Sequence, residues 1–383
     1  MTRQLLTNGR IFDGDKLHEQ AALIIDGEAI AGIVPAADAP ADADVVIDLG
    51  GRLLAPGLVD IQVNGGGGVL FNDDPSLGAL QTIAAAHRPF GTTVLLPTLI
   101  TDSVEVMQRG IDAVAMAIEQ GVPGIVGIHL EGPHLSSTYH GVHDVARMRP
   151  LDEDALKLLC SLKTGRTLVT LAPETVPAGS IESLRDAGVV VFGGHSAASY
   201  EETRAALDAG LGGFTHLFNA MTPLKSRAPG MVGAALEDER SYFGIIADGY
   251  HVHPATLRLA VRVKTTGKAV LVTDAMPSVG SNEKSFKLYG ETIHAAGGRC
   301  LTADGTLAGS DIGLIEAVRN MRRFGGVDRF EALRMASRYP AESIGLGDSY
   351  GKLQPGYRAN LIELDDDLKL VGSWIAGERV EYS

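Results

Sequence analysis

Glu131 (IVGIHLEGPH), His195 (VVVFGGHSAA), His216 (GGFTHLFNAM) and Asp274 (AVLVTDAMPS) each stand at the end of a separate apolar run. One carboxylate and two imidazoles make a donor set for a single zinc-like ion, provided a scaffold holds them and leaves one position open for water. Asp274 then remains as a group that can take a proton from activated water and later return it. Any one of these residues alone is more often a helix cap, an ion-pair member or a hydrogen-bonded core residue. Four of them at the ends of successive runs point to one site, and the chemistry they suit is metal-dependent hydrolysis.

The runs themselves are β-branched or glycine-rich and short, which reads as buried strand. Eight strand candidates lie in the middle of the chain: Leu58–Val63, Thr92–Pro97, Gly124–Leu130, Leu168–Leu171, Val189–Gly193, Gly213–His216, Tyr242–Ala247 and Ala269–Thr273. Helical stretches such as SVEVMQRGIDAVAMAIEQG and YEETRAALDAG separate most of them. This alternation predicts an α/β fold, a (β/α)8 TIM barrel whose C-terminal rim carries the site. A doubly wound open sheet is the alternative, but no glycine-rich nucleotide fingerprint follows an early strand. Gly65–Gly68 lacks the phosphate-loop pattern and is expected to be a flexible loop at the barrel mouth.

Both chain ends read as β. LLTNGRIFDG suggests two strands around Asn-Gly, AALIIDGEAIAGIVP two around Asp-Gly, and the last thirty residues alternate β-formers with charge. The expectation is a small β-sandwich domain built from residues 1–53 and 350–383, with the hydrolase barrel, residues 54–349, inserted between them.

At 383 residues the chain suits a large barrel with a satellite domain. With 33 basic against 47 acidic residues its net charge is −14, which argues against nucleic acid or an anionic membrane as partner. The two cysteines, Cys160 and Cys300, fit a reducing cytoplasm better than a disulfide framework and read as buried packing residues. No signal-peptide core or membrane-length apolar run is present.

His143 lies in a long polar loop after Glu131, where a donor could polarise a carbonyl, although His134 and His140 make it one of several loop histidines. Lys225, Arg227, His251 and His253 form the basic concentration near the rim loops. Arg227 suits bidentate phosphate recognition.

In order, PGLVDIQVNG (Pro56–Gly65), HLEGPH, GGHSAA, THLFNAM, APGMVG, ADGYH, TDAM and GTLAGS (Gly305–Ser310) make a series that resembles the N-acetylglucosamine-6-phosphate deacetylases of the amidohydrolase superfamily. The resemblance spans nearly the whole chain. It implies Glu131, His195 and His216 as ligands of one divalent ion, with zinc expected and iron, manganese or cobalt suited to the same donors. It implies Asp274 as catalytic acid–base and His143 on the acetamide carbonyl. Phosphate contacts fall to Asn219, the Ala220 backbone, Arg227 and His251. Gln62 and Val142 join the substrate contacts, and Leu307, Ala308 and Gly309 line the sugar pocket.

The implied reaction releases acetate from N-acetylglucosamine 6-phosphate, within amino-sugar catabolism and cell-wall sugar recycling. A homodimer is implied, each active site being completed by the neighbouring subunit. Four positions depart from common patterns. Gln62 and Asn64 replace the His-x-His of much of the superfamily, which favours one ion over two. Ala228 stands where a glutamate commonly follows the arginine, and His140 where a lysine is often found. The rival readings are a different amidohydrolase, acting on cyclic imides or acylated amino acids, and a barrel that has lost catalysis.

Overall fold

In the computed structural model, which describes residues 2–382, the middle of the chain forms one parallel barrel. Its strands are Leu58–Val63, Thr92–Ile100, Gly127–Glu131, Arg166–Leu171, Val190–Gly193, Gly213–Phe214, Tyr242–Ile246 and Ala269–Val272, in chain order. The ladder closes between the last segment and the first: Asp274 N–H donates to Gln62 O at 3.0 Å and Asn64 N–H to Ala275 O at 2.9 Å. Strand interiors are buried on both faces, as a parallel sheet wrapped in helices requires.

All eight expected strands are present, the first with its expected bounds and the others with shifted ends. The second continues beyond Pro97 to Ile100. Proline cannot donate to the ladder; the register shifts near Pro97, and Val63 N–H finds Thr98 Oγ1 instead at 2.9 Å. Helices follow most of the strands and start on clear caps. Ser103 accepts from Val106 N–H at the head of Val104–Glu119. Ser199 and Glu202 form a reciprocal capping box on Tyr200–Ala209, which ends on Gly210 in the left-handed region.

The chain ends share an eight-stranded, mostly antiparallel sheet. Leu361–Leu364 pairs with Leu53–Pro56, joining the C-terminal strands to the N-terminal ones. Leu23, Ile25, Leu54, Leu361 and Trp374 share one core, so this single sheet folds over itself as a sandwich. The Asp26-Gly27 hairpin forms as expected. The Asn8-Gly9 pair does not turn the chain: Arg3–Phe12 is one strand with a bulge, Asn8 at φ 54. A side chain at Gly9 would strike Leu49, so glycine here serves packing, not a hairpin.

Gly65–Gly68 is likewise not a flexible loop. Gly65–Gly66 pairs with Val69–Leu70 in a tight hairpin whose base is buried, and a Cβ on Gly65 would meet Val69 O at 2.3 Å. After the last barrel strand comes an unanticipated four-stranded antiparallel sheet, Ser285–Leu288, Glu291–Ala296, Arg299–Leu301 and Leu307–Ser310. Its last strand runs back to the barrel rim, where Ser310 N–H donates to Asp274 O at 2.9 Å. Cys300 is buried in this sheet's own core, whereas Cys160 is only half-buried. Among the described residues no helix is long and apolar enough to cross a membrane.

Candidate active site

Every expected metal donor lies at the C-terminal rim, and the backbone bends sharply to put it there. His195, His216 and Asp274 adopt φ values of 47°, 30° and 51°, each two residues beyond its strand. Non-glycine residues rarely occupy this region, and such strain gathers where side-chain direction matters to function. Glu131 is the last residue of its own strand.

The three donors form a triangle. Glu131 Oε1 lies 3.0 Å from both His195 Nε2 and His216 Nε2, and the two nitrogens are 3.0 Å apart. Ligands about 2.0–2.1 Å from a tetrahedral ion lie roughly 3.3–3.4 Å from one another, so the triangle is close to ligand spacing. His195 Nδ1 faces Tyr139 O at 3.0 Å and must donate to it, which leaves a lone pair on Nε2 of the neutral ring. A lone pair facing a carboxylate oxygen at 3.0 Å calls for a cation between them. Burial opposes the charge on Glu131, yet the adjacent His195 and His216 hold its pKa well below the ordinary carboxylate range. For His216, burial is outweighed by Glu131, and its pKa is raised. The site fits a divalent ion.

Asp274 stands beside this triangle. Its Oδ1 accepts from Asn64 Nδ2 at 2.6 Å and from Gln62 Nε2 at 3.3 Å, while Gln62 Nε2 also reaches Glu131 Oε2 at 3.0 Å. These amides occupy the strand-one positions where His-x-His would feed a second ion, and they donate to the two carboxylates. Burial first, and the charge of Glu131 second, push Asp274 up to about 6. Below Gln62 on the same strand face, Asp60 Oδ2 accepts from Thr273 Oγ1 at 2.6 Å.

His143 is buried, with Nε2 at 3.9 Å from Glu131 Oε1, and burial followed by the nearby His195 hold its pKa well below the usual imidazole value. One pocket gathers Glu131, His195, His216, Asp274, His143, Val142, Asn219, Ala220, His251 and the Leu307–Gly309 strand. His251 is aimed by Asp248, whose Oδ2 accepts from its Nδ1 at 2.6 Å. Gln62 lies beneath the pocket floor, its amide committed to the two carboxylates.

The rest of the basic concentration disperses. Arg227 is exposed at the tip of a turn between Lys225 and Ala228 and does not line its own chain's pocket. His253 caps the helix Pro254–Val263, its Nδ1 accepting Ala255 N–H at 3.1 Å. His134 bonds to Arg149 O, and His140 borders a neighbouring cavity. Sequence reasoning passed over Asn64 as an Asp274 partner, Asp248 behind His251, and Asp60. Only Asp60 left a signal: it precedes Gln62 and Asn64 at the two-residue spacing of one strand face.

Comparison with known proteins agrees with this geometry. The Amidohydrolase family profile matches residues 53–380, and that of the NagA composite domain residues 5–54. An N-acetylgalactosamine-6-phosphate deacetylase of Shewanella sp. (strain ANA-3) is 42% identical over 98% of this chain and 95% of its own. An N-acetylglucosamine-6-phosphate deacetylase of Haemophilus influenzae is 34% identical over 93% and 94%. The crystal structure of the N-acetylglucosamine-6-phosphate deacetylase from Pasteurella multocida superposes with a TM-score of 0.95 at 35% identity, covering 99% of this chain and 100% of that one. From its barrel, its rim donors and these matches, the chain belongs to the amidohydrolase family.

Proposed function

We propose that this chain hydrolyses the N-acetyl group of N-acetylglucosamine 6-phosphate, giving glucosamine 6-phosphate and acetate. The observation that carries the reading is the shared pocket: a metal-donor triangle, a carboxylate and an imidazole face Asn219, Ala220 and His251 across it. An ion held by Glu131, His195 and His216 would acidify water and polarise the amide carbonyl; zinc is expected, with iron, manganese or cobalt suited to the same donors. Asp274 takes the proton from the attacking water and delivers it to the departing amine, which is otherwise a poor leaving group. His143 donates to the carbonyl oxygen as negative charge gathers there. The phosphate contacts hold the sugar through binding energy remote from the reacting bond.

Among the described residues no lysine or arginine lines the pocket, which leaves His251 as the basic group on the proposed phosphate side. Arg227 is exposed nearby in sequence and, among the described residues, has no ion-pair partner. This supports a homodimer in which the neighbouring subunit's Arg227 completes the phosphate site. The division into residues 1–53 with 350–383, and residues 54–349, belongs to the same reading; the separate core of the terminal sheet supports two units, but the strand Leu53–Pro56 carries the first piece on to Pro56. Two cysteines without a disulfide support a cytoplasmic enzyme.

The 42% identical relative, named for the galactosamine sugar, favours a second reading in which the 4-epimer is also a substrate. Acetate release from the two 6-phosphates, with unphosphorylated N-acetylglucosamine as control, separates these outcomes. Release from neither phosphorylated sugar by metal-loaded protein would move the substrate elsewhere in the family.

A further inference from the structure

Thr101 lies just past the second barrel strand and touches His143 twice. Its backbone N–H donates to Nδ1 at 3.3 Å, and its hydroxyl lies 2.8 Å from the same atom. A backbone N–H can only donate, so Nδ1 must carry the lone pair and the ring proton must sit on Nε2. That is the nitrogen turned toward Glu131 and the pocket.

The segment around Thr101 is held from several sides. Tyr289, in the turn between the first two strands of the four-stranded sheet, donates its hydroxyl to Thr101 O at 2.6 Å. Asn72 brackets Ile100, donating to its carbonyl at 2.9 Å and accepting from its N–H at 3.0 Å. Arg149, from the loop that carries His143, donates to Asp102 O at 2.8 Å, and Arg147 of that loop pairs with the Asp102 carboxylate. The loop and the strand end are thus tied together on both sides of the imidazole.

We propose that Thr101 is a positioning residue that sets the tautomer of His143, so that the imidazole meets the substrate with an N–H and not a lone pair. The inference rests on the deacetylase reading for what the N–H is for, but the tautomer itself does not depend on the substrate. A lone pair aimed at a carbonyl oxygen would repel the charge that builds on it, so the wrong tautomer costs rate and not affinity.

The test uses the full metal-loaded enzyme with Thr101→Val, which keeps the shape and backbone N–H but loses the hydroxyl, and Thr101→Ser, which keeps the hydroxyl. Imidazole nitrogen NMR, without substrate, should show His143 as the Nε2–H form in wild type and Thr101→Ser, and a mixture in Thr101→Val, where the 2.8 Å hydroxyl contact is gone and only the longer 3.3 Å backbone contact still favours that form. On turnover, Thr101→Val should lower kcat roughly tenfold with KM within about twofold, and Thr101→Ser should restore it. In a His143→Gln background, whose amide supplies its own N–H, Thr101→Val should have no further effect. A wild-type Nδ1–H form, or an equal loss of kcat in Ser and Val variants, overturns the proposal. Absence of turnover on any phosphorylated acetamido sugar would sink the deacetylase reading while leaving the NMR result to decide the tautomer.

Discussion

Asn64 donates its amide N–H to Asp274 Oδ1 at 2.6 Å, within the closing seam of the barrel. That hydrogen bond favours the charged carboxylate, against the burial and the neighbouring Glu131 that push Asp274 up to about 6. A base must be ionised to accept a proton, so kcat/KM should fall as pH drops through the Asp274 value. A bound cation favours the carboxylate further, which puts this acid limb below about 6. Asn64→Leu removes a donor to the charged form and should move the limb to higher pH. A limb that stays where it was in the variant would show that another group governs it.

Asp274 can be tested without disturbing the donor triangle. Asp274→Asn keeps the shape but cannot take a proton. It should lower kcat by roughly 10²- to 10⁴-fold, while metal content per chain stays at the wild-type value by elemental analysis. A variant that keeps most of its kcat would remove Asp274 from the reaction.

The amides of Gln62 and Asn64 make a prediction about stoichiometry. They donate to Glu131 and Asp274, where a second ion would demand lone pairs. Wild-type protein should bind about one ion per chain, and the double substitution Gln62→His with Asn64→His should raise that toward two. Two ions in wild type would mean that the amides rearrange.

Why was this site legible before its geometry was known? Glu131, His195, His216 and Asp274 end apolar runs, and a parallel barrel puts the ends of all such runs on one rim. The partners that aim them leave no such mark. Thr101 meets His143 across 42 residues, and Gln62 meets Glu131 across 69, distances over which no local pattern carries information. The four-stranded sheet escaped notice because its strands are short and partly exposed; in Glu291–Ala296 only Ile293 and Ala295 are buried. Asn-Gly and the glycine run misled for another reason. Glycine marks both a turn and a place where another chain segment comes too close for a Cβ, and at Gly9 and Gly65 the second cause holds.

Asp60 links the barrel seam to stability. Burial pushes its carboxyl up to about 7, above the unfolded value of about 3.9. The folded protein therefore holds this proton longer than the unfolded chain. Its contribution is most favourable below the unfolded value, declines as pH rises, and levels off above the folded value. Asp60→Asn cannot titrate, so its stability relative to wild type should rise between about pH 4 and pH 7. Thermal midpoints of both proteins across that range check the sign; a difference that stays flat would mean Asp60 is ionised in the fold throughout.

Gly309 tests how tightly the Leu307–Gly309 strand and the proposed acid–base Asp274 are coupled. It has φ 75°, and a Cβ there would lie 2.5 Å from Met276 Cγ and 2.9 Å from Asp274 O. Alanine must therefore both leave its favoured backbone region and displace the loop that carries Asp274. Gly309→Ala should cost about 1–3 kcal/mol of stability and lower kcat/KM by more than that loss of folded protein explains. The check is kcat/KM normalised to folded, metal-loaded enzyme well below its melting temperature. A normalised value equal to wild type would show that the Leu307–Gly309 strand can shift without moving Asp274. A loss confined to KM would place the strand against the sugar alone, and a loss in kcat would show that its position is transmitted to the base.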